Sequence, residues 1–210
     1  MWIQEIGAAN PAMSDCRHSE EAPPLSDADL MLAVKTGDLQ AFESLVERHQ
    51  YRVIGTVAKM LGDEVEAEDI AQQVFVRVWK SAGRYEPSAK FTTWLLTITR
   101  NLVFNEMRRR NRHPAHSMDE PGHDDTVRQF ADTRETSPAE KLEQMELSDA
   151  IESAIASLPE AQRMAVILRR YEDMPYEDIA RVLQSTVPAV KSMLFRARSQ
   201  MRELLEKFLA

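Results

Sequence analysis

Near its C-terminus the chain runs Leu158-Pro-Glu-Ala-Gln-Arg-Met-Ala-Val-Ile-Leu-Arg-Arg-Tyr171, Pro175-Tyr-Glu-Asp-Ile-Ala-Arg-Val-Leu183 and Val187-Pro-Ala-Val-Lys-Ser-Met-Leu-Phe-Arg-Ala-Arg198. Its apolar periodicity predicts a helix, a short helix, a tight turn and a long basic helix. Ser185 and Thr186 supply hydroxyls for the turn and for a helix cap, and Pro188 suits a first helical turn. This pattern is typical of a helix-turn-helix, whose last helix can enter the major groove of DNA.

The long basic helix is predicted to have two different faces. Residues at three- and four-residue spacing face inward, namely Val190, Leu194, Ala197 and Met201. The remaining faces carry Lys191, Ser192, Phe195, Arg196 and Arg198. No acid occurs from Val187 to Gln200, and a surface of one sign suits phosphates and base edges. The same pattern also fits a basic surface helix in an ordinary bundle.

The net charge of −8 is unevenly distributed over the 210 residues. Residues 1–30 hold six acids against one base, and residues 114–149 hold ten against three. The two intervening blocks are mildly basic, which favours two compact units joined by a solvated acidic segment. We predict a disordered tail over 1–25, domains over 26–113 and 139–210, and a flexible linker over 114–138.

The predicted fold class is all-α, because no stretch alternates in the manner of a strand. The domain over 26–113 should contain four helices, starting after a cap at Ser26 and then covering Leu39–Leu61, about Val65–Ser81 and about Phe91–Arg110. A single cysteine, Cys16, excludes an intrachain disulfide. The sequence shows neither a membrane-spanning run nor a secretory signal, so we expect a cytoplasmic protein.

Enzymatic chemistry is not indicated by any motif. There is no Gly-rich phosphate loop and no nucleophile motif, so we predict neither an enzyme nor a cofactor. The candidate metal ligands are Cys16 and His18 together with His113, His116 or His123. Their spacing does not match a metal-ligand pattern, and we predict no metal.

The fourth helix is polar and basic on the side that does not face the core. Leu95, Ile98, Leu102 and Val103 mark its buried face. Asn101 and Asn105 lie one turn apart on another face, and Arg108-Arg-Arg-Asn-Arg112 closes the helix. Amides can pair with base edges, and arginines can neutralise phosphates. Aromatic residues beside a basic groove can stack unpaired bases. Tyr85 in the preceding loop is a candidate for this role, although such residues are more often core.

The third helix has a core stripe formed by Ile70, Val74 and Val78. Four other residues lie off this stripe and are predicted to be exposed, namely Asp69, Gln72, Gln73 and Val76. Local pattern alone indicates only a solvated face.

Taken together, the motifs resemble a bacterial sigma factor of the extracytoplasmic-function group. Residues 38–113 are similar to the family's second domain and residues 140–206 to its fourth, with the linker standing in place of a third. The resemblance rests on Asp69-Ile-Ala-Gln-Gln-Val-Phe75, Phe91-Thr-Thr-Trp-Leu95, Leu158-Pro159, Tyr176-Glu-Asp-Ile-Ala180, Val190-Lys-Ser192 and Arg196-Ala-Arg198.

The resemblance implies a promoter-specificity subunit of RNA polymerase. Core polymerase would be bound by Asp69, Gln72 and Gln73. The −10 element would be contacted by Asn101, Asn105, Arg108, Arg109 and Tyr85. The −35 element would be contacted by Arg169, Lys191, Ser192, Phe195, Arg196 and Arg198. Implied partners are core RNA polymerase, promoter DNA and an anti-sigma factor that covers both DNA-binding blocks.

Several positions depart from the family pattern. Gln73 stands where a glutamate is usual, and Asn105 where many relatives carry aspartate. Met193 replaces a usual arginine, which removes a phosphate contact, and Pro188-Ala189 replaces Gly-Thr. We expect these departures to alter one polymerase contact and the preferred bases.

Two other functions fit parts of the pattern. A stand-alone helix-turn-helix regulator with an N-terminal sensing domain would bind a two-fold operator as a dimer. An α-helical adaptor would carry its basic faces incidentally. The basic, aromatic helix from Phe91 to Arg112 argues against the first alternative, because a sensing domain does not need it.

Overall fold

A computed structural model describes residues 25–112 and 138–209, and within these ranges the only regular elements are helices. Apart from Leu25 and Pro138, the predicted tail and linker lie outside the described residues, as do the candidate metal ligands Cys16, His18, His113, His116 and His123. The helices are α1 (Asp27–Lys35), α2 (Leu39–Leu61), α3 (Glu64–Ser81), α4 (Phe91–Arg112), α5 (Pro138–Ala156), α6 (Glu160–Arg170), α7 (Tyr176–Leu183), α8 (Val187–Leu204) and α9 (Glu206–Leu209), with a short 3-10 turn over Ala82–Arg84.

The helix ends follow from local sequence. Ser26, Asp38 and Asp63 each precede a helix, and each side chain accepts from the backbone N–H three residues later, at 3.2, 3.1 and 2.9 Å. Such caps satisfy donors that the first turn leaves without partners. Gly62 ends α2 at φ +71°, a left-handed conformation that glycine adopts without steric cost. The predicted all-α class and the helix starts are confirmed.

Helices α1 to α4 form the first unit around a continuous apolar core. α2 packs along α3, and α4 lies against both. Leu45, Val53, Val74 and Leu95 are fully buried, and for Val74 and Leu95 this agrees with the predicted buried faces of α3 and α4. This packing leaves the Asp69 side of α3 and the Asn101 side of α4 in solvent.

Helices α6, α7 and α8 form the predicted helix-turn-helix. The α6–α7 loop and the α7–α8 turn each contain a residue with positive φ, Asp173 at +47° and Gln184 at +52°. Thr186 caps α8 by accepting from the Ala189 N–H at 3.4 Å, and Pro188 lies in the first turn of α8, as predicted. Val190, Leu194 and Ala197 anchor α8 on the core.

The two units also pack on each other, which the sequence did not indicate. α7 lies against α4, and α6 lies against α2. Arg163 of α6 donates from Nη1 to the carbonyl oxygen of Met60 at 2.7 Å. The helix-turn-helix is therefore held beside the first unit in this conformation.

Candidate nucleic-acid interface

The exposed side of α8 carries every residue that the sequence assigned to duplex recognition on that helix. Phe195 is 72% exposed, an unusual position for a phenylalanine with a packed core nearby. The pairs Lys191/Phe195 and Ser192/Arg196 stand four residues apart, so they form two adjacent lines along the helix. The exposed set is Lys191, Ser192, Phe195, Arg196 and Arg198. Such a surface can reach several successive base pairs in a major groove.

Arg169, at the end of α6, has structural contacts that the sequence analysis did not foresee. Its Nη1 donates to the Met174 carbonyl at 3.0 Å and lies 3.4 Å from Asp173 Oδ1. Its guanidinium lies 5.7 Å from the centre of the Tyr176 ring. Arg169 therefore braces the loop between α6 and α7, while its exposed part remains accessible to DNA.

The Asn101 side of α4 is open. Asn101 and Asn105 are both exposed and stand one turn apart, and Arg108 continues their line toward the end of the helix. These side chains offer amide donors and acceptors followed by a cation, an arrangement that suits bases and a phosphate.

Two acids hold part of the arginine cluster at the end of α4. Arg109 Nε donates to both carboxylate oxygens of Glu106, at 3.0 and 2.8 Å, and this hydrogen bond and charge raise the pKa of Arg109. Glu66 of α3 lies 3.7 Å from Arg109 and forms an ion pair with Arg110. The Glu106 side chain is only 10% exposed. Two of the four charges in this cluster are thus partly neutralised, which leaves Arg108 and Arg112 as the more available cations.

The structure corrects the prediction for Tyr85. Its side chain is 1% exposed, and its ring packs edge-on against Phe91 and Trp94 at centroid distances of 6.3 and 5.2 Å. Burial raises the pKa of its hydroxyl. The expectation that this ring is presented to DNA is wrong for this conformation, because packing against the start of α4 draws the loop into the core.

The outer side of α3 forms a second, chemically different surface. Asp69, Gln72 and Gln73 are exposed as predicted, and Val76 is exposed beside them. Trp79 closes one end of this surface, with its ring 5.1 Å from that of Phe42. A polar surface with an apolar edge on a rigid helix is suited to a protein partner.

Arg100 marks the contact between α4 and α7. Its Nε donates to the carbonyl oxygen of Val182 at 3.0 Å. Burial lowers the pKa of Arg100, and the nearby charge of Arg108 lowers it further. Arg100 is not part of the apolar stripe formed by Leu95, Ile98, Leu102 and Val103, and nothing local indicated that the second unit would cover it.

Within the described ranges, no three His, Cys, Asp or Glu side chains are grouped to hold a metal ion. None of the described helices combines the length and apolar character that a membrane crossing needs.

Two families match the chain, one in each unit. The Sigma-70 region 2 family matches residues 45–113, and the Sigma-70, region 4 family matches residues 148–201. The chain is 34% identical over 190 residues to the RNA polymerase sigma-H factor of Pseudomonas aeruginosa, covering 87% of this chain and 95% of that protein. It is 31% identical over 175 residues to the ECF RNA polymerase sigma-E factor of Escherichia coli, covering 83% and 91%.

Solved structures share the fold. CnrH, solved in complex with the cytosolic domain of CnrY, aligns with a TM-score of 0.62 at 24% identity, over 86% of this chain and 97% of that chain. The sigma factor RpoE of Bartonella quintana, solved in complex with the anti-sigma factor NepR, aligns with a TM-score of 0.62 at 22% identity, over 80% and 98%.

Proposed function

The chain belongs to the extracytoplasmic-function group of the sigma-70 family, and we propose how its residues direct RNA polymerase to promoters. α8 binds the −35 element as duplex, α4 binds the −10 element as separated strand, and the outer side of α3 docks on the clamp helices of the largest polymerase subunit. The protein contributes no catalytic group, since the polymerase supplies the chemistry. The observation that carries this proposal is the exposed side of α8 over Val187 to Gln200, which holds no acid, on a chain that also exposes the Asn101 side of α4.

Duplex recognition divides between base and phosphate contacts. Arg196 can form a bidentate contact with guanine, and the exposed Phe195 ring can contact a thymine methyl group. Lys191 provides a phosphate contact, which adds affinity without sequence preference. Arg169, braced at the α6–α7 loop, is placed to reach the backbone beside the recognition helix.

Strand capture is assigned to α4. Extracting a base from the stack costs a few kcal/mol, which contacts to the extracted base must offset. Asn101 and Asn105 present two amides on one line of the helix, and Arg108 can hold the strand by a phosphate. The buried Glu106 keeps Arg109 and Arg110 fixed beside them.

Reconstituted transcription tests the proposal. The purified chain is added to core RNA polymerase on fragmented genomic DNA, and the 5′ ends of the transcripts are sequenced. We expect starts that share upstream elements and that do not appear with core polymerase alone. Starts that are the same with and without the chain would contradict the proposed function.

The polymerase-docking surface can be tested by a double substitution. Asp69→Ala with Gln72→Ala should weaken binding to core polymerase by about tenfold, or ~1.4 kcal/mol, because two contacts at one interface are removed. Both residues are exposed, so the thermal unfolding midpoint should stay unchanged. The matched control replaces an exposed glutamine and acid on α2, Gln40→Ala with Glu43→Ala. Equal affinities of the two double variants in a fluorescence titration would refute the assignment.

The phosphate role of Lys191 predicts a change in salt dependence. Lys191→Ala should reduce the slope of log affinity against log salt for −35 duplexes by about one, because one phosphate contact is lost. The preferred sequence should not change. The measurement is a titration of duplex binding at several salt concentrations, and a changed base preference with an unchanged slope would show that Lys191 contacts bases.

We propose further that the protein acts in the cytoplasm, where polymerase and chromosome are present, and that an anti-sigma factor restrains it. Restraint by an anti-sigma factor is supported by the Bartonella quintana sigma factor of the same fold, which was solved in complex with the anti-sigma factor NepR.

A further inference from the structure

We propose that the free protein is closed by its own helix-turn-helix block, that Glu172 is the latch, and that this latch must open before both promoter elements are bound. The contact itself is independent of function, whereas its consequence for transcription rests on the function proposed above.

Glu172 joins the two units from the loop between α6 and α7. Its side chain is only 10% exposed, and its Oε2 lies 2.7 Å from Arg52 Nε on α2. Its Oε1 accepts from the Thr56 hydroxyl, one turn further along α2, at 3.2 Å. Lys59, on the next turn, lies 4.8 Å from the centre of the Tyr171 ring. A single acidic loop residue thus satisfies two groups of the opposite unit.

α7 covers one flank of α4 in the same arrangement. Leu96 is 1% exposed, and Arg100, four residues later, donates to the Val182 carbonyl. Successive helical residues are 100° apart, so Asn101 lies about a quarter turn around α4 from the covered Arg100. The asparagines remain open, but a strand that followed the surface of α4 from Asn101 toward Arg100 would meet α7.

The distance between the two promoter elements rules out simultaneous binding of both in this conformation. Promoter elements centred near −35 and −10 are about 25 base pairs apart, or roughly 85 Å at 3.4 Å per pair. Val182 lies in contact with α4, and α8 begins at Val187 and is about 27 Å long at 1.5 Å per residue. The −35 surface is therefore held within roughly one helix length of the −10 surface.

Closing the two units buries polar groups that lack hydrogen-bond partners, which destabilises the closed form and keeps the closure reversible. Within the described chain, Arg100 Nη2 and Arg163 Nε are buried without a hydrogen-bond partner. Burial lowers the pKa of both guanidinium groups. Opening returns these groups to water or to phosphate, so binding of polymerase and DNA needs to overcome only a modest preference for the closed form.

Distance measurements on the full chain test the latch. In a Cys16→Ser background, spin labels at Gln40→Cys on α2 and Glu203→Cys on α8 report the separation of the units by dipolar spectroscopy. We expect a dominant short-distance population in the free protein. Glu172→Gln should lower the ratio of closed to open molecules by roughly three- to tenfold, because a charge-assisted contact is lost. Arg52→Gln should act in the same way from the other unit.

The control is Glu177→Gln, the same charge change at an exposed position of α7, which should leave the distances unchanged. Adding core polymerase should increase the distance between the two spin labels in the parent protein. The proposal is overturned if the free parent lacks a short-distance population, if both Glu172→Gln and Arg52→Gln behave like the control, or if the short distance persists in a transcribing complex. The distances in the free protein do not depend on whether polymerase binds. An open free protein would therefore refute the latch without refuting the proposed function, and a chain that does not direct transcription could still be closed by Glu172.

Discussion

Replacing Arg196 by alanine is expected to lower preference for the −35 element by about 1–3 kcal/mol, or roughly 5- to 150-fold in discrimination at the contacted base. Arg196 is exposed on α8, and no acid between Val187 and Gln200 competes for its guanidinium. A bidentate contact with guanine would be lost without a change in the fold. The measurement is transcription from a promoter library with a randomised −35 element.

The control for this change is Arg202→Ala, which removes the same charge from the last turn of α8, beyond the predicted recognition stretch that ends at Gln200. It should weaken binding only slightly and leave the preferred sequence unaltered. If Arg196→Ala keeps both the preferred sequence and its strength, the recognition side of α8 has been assigned wrongly.

Asn101→Ala is expected to impair strand opening by about tenfold or more, because one base loses an amide partner that offsets part of its extraction from the stack. Binding to −35 duplexes should be unaffected, since Asn101 lies on α4 and not on α8. Permanganate footprinting of unpaired thymines in the polymerase complex measures the effect.

Asn111→Ala provides the matched control, since Asn111 is an exposed asparagine of the same helix on a different line. It should open promoters as well as the parent protein does. Equal footprints of the Asn101→Ala variant and the parent would remove Asn101 from the strand-capture role.

Most of the fold could be predicted because its signals are local. The cap at Asp38, the left-handed Gly62 and the cap at Thr186 each lie within a few residues of the helix end that they define. The open side of α8 was likewise predictable, because three- and four-residue spacing of buried positions determines which residues remain outside.

The features that could not be predicted depend on contacts between residues that are far apart in the sequence. Tyr85 lies in a loop, and only packing against Trp94 decides that its ring is buried. Glu106 occurs three and four residues before two arginines, a pairing visible in sequence, but its burial depends on how α3 meets α4. The Glu172 contact joins residues 116 positions apart, and no periodicity indicates such a pairing.

Recognition of two separate promoter elements can be measured by selecting active promoters from a fully randomised upstream region, transcribed by core polymerase with this chain. We expect two different, asymmetric sequence blocks at a constant spacing, one losing preference at the base that Arg196 contacts in the Arg196→Ala variant and the other weakened in the Asn101→Ala variant. Enrichment of a single two-fold symmetric block would contradict it and would instead indicate a dimeric helix-turn-helix regulator.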